Sequence, residues 1–378
     1  MKNFVKLIKQ IHEERFSVVL HEIITKNIPV AFISIAPIAQ AVNNVKNFQT
    51  QGLKITKLLI VDSSAIPDNL DFEVINVSDA MKIYNQPEYI FSNNSTASRI
   101  AVKNFPTSKV ITMGKLTDKI YETFMTNLDE LQKVYESLVD EESKRTFRGY
   151  WLGNITNRIG DFVFSNTPHY ICAGFIPERG AIVIDGGLCD GGTAVRFSQM
   201  GYQVYGFEMD KMNYEKACKA GKENNFIVEN VALGAYNHKM TYTHMSNPGA
   251  SRFDPQGKEI AQVIPLDSYV REKNLPRVDF IKLDVEGAEL DVLKGASITI
   301  AQFKPILALS AYHKWDDFWT IMNFVKSIRP DYEFAMRQFV ISREDGGHLF
   351  KADTEDTLYN FGLRPALETS GECVLFAR

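Results

Sequence analysis

Four cysteines in 378 residues, scattered at Cys172, Cys189, Cys218 and Cys373 with no Cys-x-x-Cys pair, cannot staple a fold. Their spacing excludes a zinc ribbon or a disulfide framework and fits thiols kept reduced inside a cell. Neither sign of charge is in excess: 42 Lys and Arg against 46 Asp and Glu leave −4, with no electrostatic footprint for nucleic acid or an anionic membrane. Long apolar runs are also missing. The longest, 28–42, is interrupted by Pro29, Ser34, Pro37 and Gln40 and falls short of the ~20 residues a membrane span needs. The first eleven residues set Phe4, Leu7, Ile8 and Ile11 on one helical face between lysines, without a small-residue cleavage site. No secretory signal is therefore expected, and the chain reads as soluble and cytoplasmic with no integral membrane segment. There is no internal repeat. The absence of a Walker loop, a Gly-x-Ser-x-Gly elbow and a His-Glu-x-x-His helix removes the common NTPases and hydrolases.

The length predicts two domains. Over residues 1–114, apolar runs at 30–35, 58–62, 73–77, 89–92 and 110–113 alternate with amphipathic stretches such as 38–48 and 95–104. That alternation predicts a parallel sheet with crossover helices. Residues 115–165 turn helical and charged and read as a connector. A second α/β series fills 166–378, with strands expected at 181–185, 203–208, 226–231, 278–284, 305–312, 332–337 and 372–377. Helices are expected between them at 192–200, 211–223, 288–294 and 315–328. Two final strands separated by a long loop predict a seven-stranded sheet whose last strand is antiparallel. The fold class is thus α/β: a seven-stranded Rossmann-like C-terminal domain, preceded by a smaller Rossmann-like α/β domain and a helical connector.

The most informative segment is Val183-Ile-Asp-Gly-Gly-Leu-Cys-Asp-Gly-Gly192, followed by Tyr205-Gly-Phe-Glu208. A strand, a glycine turn, a helix and an acid ending the next strand form the opening of a nucleoside-binding unit. Glycine permits positive φ and close backbone approach where a β-carbon would obstruct a ligand. The pattern is not Gly-x-Gly-x-x-Gly, and the turn carries Asp185 and Asp190. Those acids repel a pyrophosphate and welcome a sulfonium with a free amino group, which favours S-adenosylmethionine over NAD.

These pieces are joined by Glu229-Asn-Val-Ala-Leu-Gly234, Pro265-Leu-Asp-Ser-Tyr269 and Asp279-Phe-Ile-Lys-Leu-Asp-Val-Glu-Gly-Ala-Glu289, and a helical block at 134–147 precedes them. In that order, over about 134–340, the chain resembles the FkbM family of S-adenosylmethionine-dependent methyltransferases. The resemblance implies a class I methyltransferase domain acting on a small-molecule or carbohydrate acceptor. Gly186, Gly187 and Gly191 would curl around the methionine half of the cofactor. Asp185 or Asp190 would hold its α-amino group, and Glu208 would accept both ribose hydroxyls. Asn230, or the backbone near Val231, would meet the adenine edge.

Methyl transfer from a sulfonium requires alignment of donor and acceptor, and loss of a proton when the acceptor is a hydroxyl. Strand 278–284 and the turn after it deliver Lys282, Asp284 and Glu286 in alternation. Asp284, at a strand end beside the cofactor crevice, is the expected active-site residue, with Lys282 either catalytic or a buried partner. Glu286 and Glu289 suit the first turn of the following helix. His313 ends the next strand and is either a general base or an orienting side chain. No metal is expected, although Asp284 with Asp316 or Asp317 offers an oxygen set that suits magnesium. Asp316 could equally cap a helix. Ser251 and Arg252 are candidate acceptor contacts.

In the N-terminal series the strand at 30–35 leads through a helix to a second strand ending in Asp62, but Ser34, Ile35, Ala36 and Pro37 replace the glycine turn. That predicts a scaffold without dinucleotide binding, which positions an acceptor or supports a homo-oligomer. The competing readings of the whole chain are a nucleotide-dependent oxidoreductase and a non-catalytic nucleotide-binding scaffold.

Overall fold

The computed structural model describes the chain outside residues 13–22, 51, 62–65, 67–68, 81–85, 93–96, 98–99, 102–103, 106, 113–116, 157–160, 245–250 and 340–371. The described residues fall into two compact units, one built on Met1–Thr126 and Trp151–Phe162, the other on Asn127–Tyr150, Val163–Asp353 and Ser370–Arg378. No helix among the described residues is long and apolar enough to cross a membrane.

The first unit holds five parallel strands: β1 (Val30–Ser34), β2 (Ile55–Ile60), β3 (Glu73–Asn76), β4 (Tyr89–Ser92) and β5 (Lys109–Thr112). Their order is β3-β2-β1-β4-β5. β1 is buried along its whole length, as a central parallel strand must be when both sheet faces are covered. Its side chains alternate between two apolar clusters: Val30 and Phe32 pack with Ala41 and Val45, and Ala31 and Ile33 pack with Ala97 and Phe105. Pro37 stands before the helix Ile38–Thr50, where its carbonyl accepts from the amides of Gln40 and Ala41. Asp62, read as the acid closing the second strand, lies outside the described residues. The charged stretch after β5 is helical over Thr117–Thr126, Leu128–Ser137 and Glu141–Thr156.

The second unit carries β6 (Ile182–Gly186), β7 (Gln203–Phe207), β8 (Ile227–Glu229), β9 (Ala232–Leu233), β10 (His238–Thr243), β11 (Arg252–Phe253), β12 (Glu259–Ile264), β13 (Phe280–Leu283), β14 (Ile306–Ser310), β15 (Phe334–Gln338) and β16 (Cys373–Ala377). Seven of them form one sheet in the order β15-β16-β14-β13-β6-β7-β8, and β16 is antiparallel to both its neighbours. The seven strands and the antiparallel last one agree with the sequence expectation. Helices Gly192–Gln199 and Lys211–Asn224 carry the chain from β6 through β7 to β8 on one side. The chain then crosses to β13 and builds the other side. The carboxyl ends of β6 and β13 therefore flank the point where the winding reverses, which is where open α/β sheets bind ligands.

The sequence reading passed over a second sheet, β11-β10-β12-β9. One of its two six-residue strands, β12, alternates exposed Ile260 with buried Ala261 and Val263. That two-residue period was available in the sequence, but it lay in a stretch without strong apolar runs. Helices Leu266–Glu272 and Ser297–Phe303, seven residues each, were missed because they are too short to show a helical period.

Candidate active site

The turn after β6 is sewn to the end of β7. The amides of Gly187 and Leu188 both donate to the Phe207 carbonyl, at 3.1 and 3.0 Å. Gly187 has φ +76°, and a β-carbon there would stand 1.7 Å from the Asp284 carbonyl oxygen, so only glycine lets the ends of β6 and β13 close together. Gly191, at φ +93°, starts the helix Gly192–Gln199, and Asp190 accepts from the amide of Gly192 at 3.2 Å.

Two cavities open on either side of this turn and share Gly187, Cys189 and Asp284. The smaller, of about 610 Å³, is walled by Glu208, Asn213, Val231, Ser251 and Phe253 among others. The larger, about 1030 Å³, is walled by His169, Tyr170, Asp190, Thr193, Arg196 and Lys282 among others.

Glu208 is 7% exposed, and its two oxygens accept from the amides of Cys189 and Asp210, each at 2.7 Å. Burial pushes its carboxyl up to about 7 against the pull of those two bonds. Val231 lines the same cavity, whereas Asn230 does not. Its amide nitrogen donates to the carbonyls of Glu208 and Met209 at 2.9 and 3.2 Å, so it holds the strand end from behind. Asp210 caps the helix Lys211–Asn224 through the amides of Met212 and Asn213. It also receives the Ser251 hydroxyl at 3.2 Å and faces His244 Nδ1 at 2.7 Å. The Arg252 side chain lies outside the described residues.

Asp185 is fully buried and lines neither cavity. Its Oδ1 sits 2.9 Å from Lys282 Nζ, which also donates to the Gly187 and Gly186 carbonyls at 2.7 and 3.3 Å. Burial raises the Asp185 carboxyl pKa, and the Lys282 charge opposes it. For Lys282 the balance is the reverse: burial disfavours the ammonium, and Asp185 and Asp284 more than offset that. Lys282 is thus a cation that pins the glycine turn from below, and Asp185 is its partner.

Asp284 follows β13 and is placed by its own amide, which donates to the Gly186 carbonyl at 3.0 Å. Its carboxylate receives the Tyr170 hydroxyl at 2.8 Å and the Tyr312 hydroxyl at 3.2 Å. Burial would raise its pKa, but Lys282, His313 and the Tyr170 bond together hold it below the usual carboxylate range. His313 stands with Nε2 3.6 Å from Asp284 and 3.7 Å from Glu286, and Nδ1 2.9 Å from Glu289. Burial disfavours the imidazolium, yet the Glu289 contact and the three carboxylate charges lift His313 to about 9. One of the two sequence readings gave His313 a pKa near working pH; the carboxylates around the ring move it upward from there. Glu289 spends Oε1 on the amides of Val285 and Gly287, bracing the turn before the helix Glu289–Lys294.

Asp316 occupies the cap position of Asp317–Ile328 without a side-chain bond, and Asp317 accepts from the Lys314 amide at 2.7 Å. Neither joins Asp284 as a cation ligand. Among the described residues, the metal-ligating atoms that gather within 4.8 Å belong to Asp284, Glu286 and His313. The sequence reading missed Tyr170, Tyr312, Asn213 and Phe253. Tyr312 was legible beside His313 at a strand end; Tyr170 reaches Asp284 across 114 residues and has no local signature.

Residues 185–348 match the methyltransferase FkbM domain. Among solved structures, methyltransferase FkbM from Methylobacillus flagellatus KT is similar over 100% of this chain and 98% of its own, with TM-score 0.66 and 15% identity, a shared fold. Precorrin-6y C5,15-methyltransferase from Geobacter metallireducens GS-15 (53% of this chain, 79% of its own, 10% identity) reaches only 0.31. A TehB-like SAM-dependent methyltransferase from Corynebacterium glutamicum (54% and 82%, 12% identity) reaches 0.25. No curated protein sequence matches significantly.

Proposed function

From the FkbM methyltransferase domain that this chain carries over residues 185–348, we propose that it transfers a methyl group from S-adenosylmethionine to a hydroxyl oxygen of a sugar-containing or secondary-metabolite acceptor. The observation that carries the reading is Asp284, an ionised carboxylate at the junction of two cavities on the carboxyl rim of the sheet. The residues fit the cofactor. Glu208 presents a buried carboxylate, with one lone pair on each oxygen spent on backbone, to a cavity bounded by Val231 and Phe253, which suits a ribose beside an adenine. Asp190 stands in the adjoining cavity for the α-amino group. Asp185 supports that geometry through Lys282 and does not touch the ligand.

When bound, the cofactor supplies an electrophilic methyl on a sulfonium. Asp284 accepts the hydrogen bond of the incoming hydroxyl and aims its lone pair; the tyrosines at 170 and 312 fix the carboxylate while it does so. Its depressed pKa makes it an orienting acceptor rather than a store for the proton.

Calorimetry with S-adenosylmethionine, S-adenosylhomocysteine and NADH tests the cofactor: binding of the two sulfur nucleosides alone supports the reading, and binding of NADH alone refutes it. Transfer of labelled methyl to polyhydroxylated acceptors, lost in Asp284→Asn with S-adenosylhomocysteine affinity retained, tests the site. Label found on nitrogen or carbon would overturn the oxygen assignment.

A further inference from the structure

We propose that Asp284, Glu286 and His313 form a binding site for one divalent cation of the manganese or zinc type. One carboxylate oxygen of each acid and Nε2 of the histidine lie within 4.8 Å of one another. His313 Nε2 is 3.6 Å from Asp284 Oδ1 and 3.7 Å from Glu286 Oε2, too far for hydrogen bonds. Two ligands bound at ~2.0–2.2 Å to one tetrahedral ion stand about 3.3–3.6 Å apart, so the first distance lies at the top of that range and the second just above it, close enough for small side-chain adjustments to close them around a shared ion.

A second observation is independent of the cluster. Glu289 is fully buried behind His313, 2.9 Å from Nδ1, and its Oε2 has no hydrogen bond. A buried carboxylate on one imidazole nitrogen, with the other nitrogen aimed into a group of oxygens, is the outer-shell arrangement that orients a metal-binding histidine. The other ring nitrogen, Nε2, is buried without a hydrogen bond. Among the described residues, the carboxylates of Asp284, Glu286 and Glu289 stand around the ring. Mixed imidazole and carboxylate donors suit manganese and zinc better than the all-oxygen set magnesium prefers.

The existence of this site is independent of the methyl-transfer reading; its role rests on that reading. Asp284 walls both cavities, so a cation held there reaches an acceptor hydroxyl at the junction, lowers its pKa and sets its lone pair toward the methyl group. The hydroxyl proton leaves to solvent, the oxygen–methyl bond forms, and the sulfur–methyl bond breaks.

The test is electron paramagnetic resonance of Mn²⁺ titrated into chelator-treated full-length protein, with Zn²⁺ as competitor. The expected result is depletion of the free Mn²⁺ signal at one ion per chain, reversed by Zn²⁺. His313→Ala and Asp284→Asn abolish it, Glu289→Gln weakens binding about 10–100-fold, and Asp316→Asn leaves it unchanged. Should His313→Ala fail to fold, Glu286→Gln, on the more exposed ligand, carries the same expectation. No depletion by wild type at millimolar protein, or unchanged binding in His313→Ala or Glu286→Gln, overturns the site and leaves an ion cluster closed by the imidazolium. S-adenosylhomocysteine titrated into the same samples separates the two ideas. Nucleoside binding without Mn²⁺ binding sinks only the cation site, and Mn²⁺ binding without nucleoside binding sinks only the cofactor reading.

Discussion

Replacing Glu208 by glutamine tests the cofactor cleft at its most informative atom. In the protein each Glu208 oxygen already accepts one short backbone bond, from Cys189 and from Asp210. Glutamine keeps one acceptor and turns an amide group toward the other backbone N–H. One buried donor is then unsatisfied, and a ribose hydroxyl loses its charged acceptor. A hydrogen bond to a charged group is worth about 1.5–3 kcal/mol, so affinity for S-adenosylhomocysteine should fall between about 10- and 150-fold. The wild type adds a pH signature. Glu208 ionises at about 7 because it is buried. Ribose hydroxyls bind the ionised form, so affinity is full above that pH and is lost as pH falls through it. With one group of pKa about 7, the ionised fraction drops roughly tenfold from pH 8 to pH 6, and affinity should follow. Calorimetry across that range on both proteins is the assay. A wild type whose affinity is flat from pH 8 to 6, or a variant that binds as tightly as wild type, would refute the assignment of this carboxylate to the ligand.

Three further outcomes follow from the same geometry. Gly187→Ala places a β-carbon 1.7 Å from the Asp284 carbonyl at φ +76° and should cost about 3–5 kcal/mol or prevent folding. Gly180→Ala, also at positive φ but with nothing within 4 Å, should cost only about 1–2 kcal/mol in the same urea titration. Lys282→Met leaves the buried Asp185 unpaired and should destabilise by about 3–5 kcal/mol; adding Asp185→Leu should recover much of it, and additive losses in the double-mutant cycle would contradict the pairing. Arg337, 6% exposed, pairs with Asp140 and Glu142 and donates to Ser143. Burial opposes ionisation of Asp140 but the Arg337 bonds prevail and lower its pKa, so this contribution should be present at neutral pH and lost as pH falls through the acid range. Arg337→Met should flatten that part of the stability profile measured by thermal melting.

The seven-stranded sheet and its antiparallel closing strand were readable along the chain because parallel core strands are continuous apolar runs bounded by turns. The same holds for the glycine turn at 186–192 and the acid at 208, where local backbone demands leave a mark on residue type. Four short strands between 232 and 264 escaped because their pattern is weak and half-solvated. Asp185 and Asp190 are equivalent in sequence, two acids in one turn. Only the packed sheet separates them, since β6 turns Asp185 inward onto Lys282 of the neighbouring strand while Asp190 faces the cavity. Likewise, a histidine at a strand end reads as either a general base or an orienting side chain, and nothing in its own segment reveals the three carboxylates around it. What a residue type and its immediate neighbours decide (a glycine at positive φ, an apolar strand, an acid at its tip) was settled by the sequence alone. Which polar groups meet, His313 with Glu289 across 24 residues, Tyr312 with Asp284 across 28 or Tyr170 with Asp284 across 114, was decided only by folding, because burial and long-range electrostatics belong to the packed sheet rather than to any segment of it.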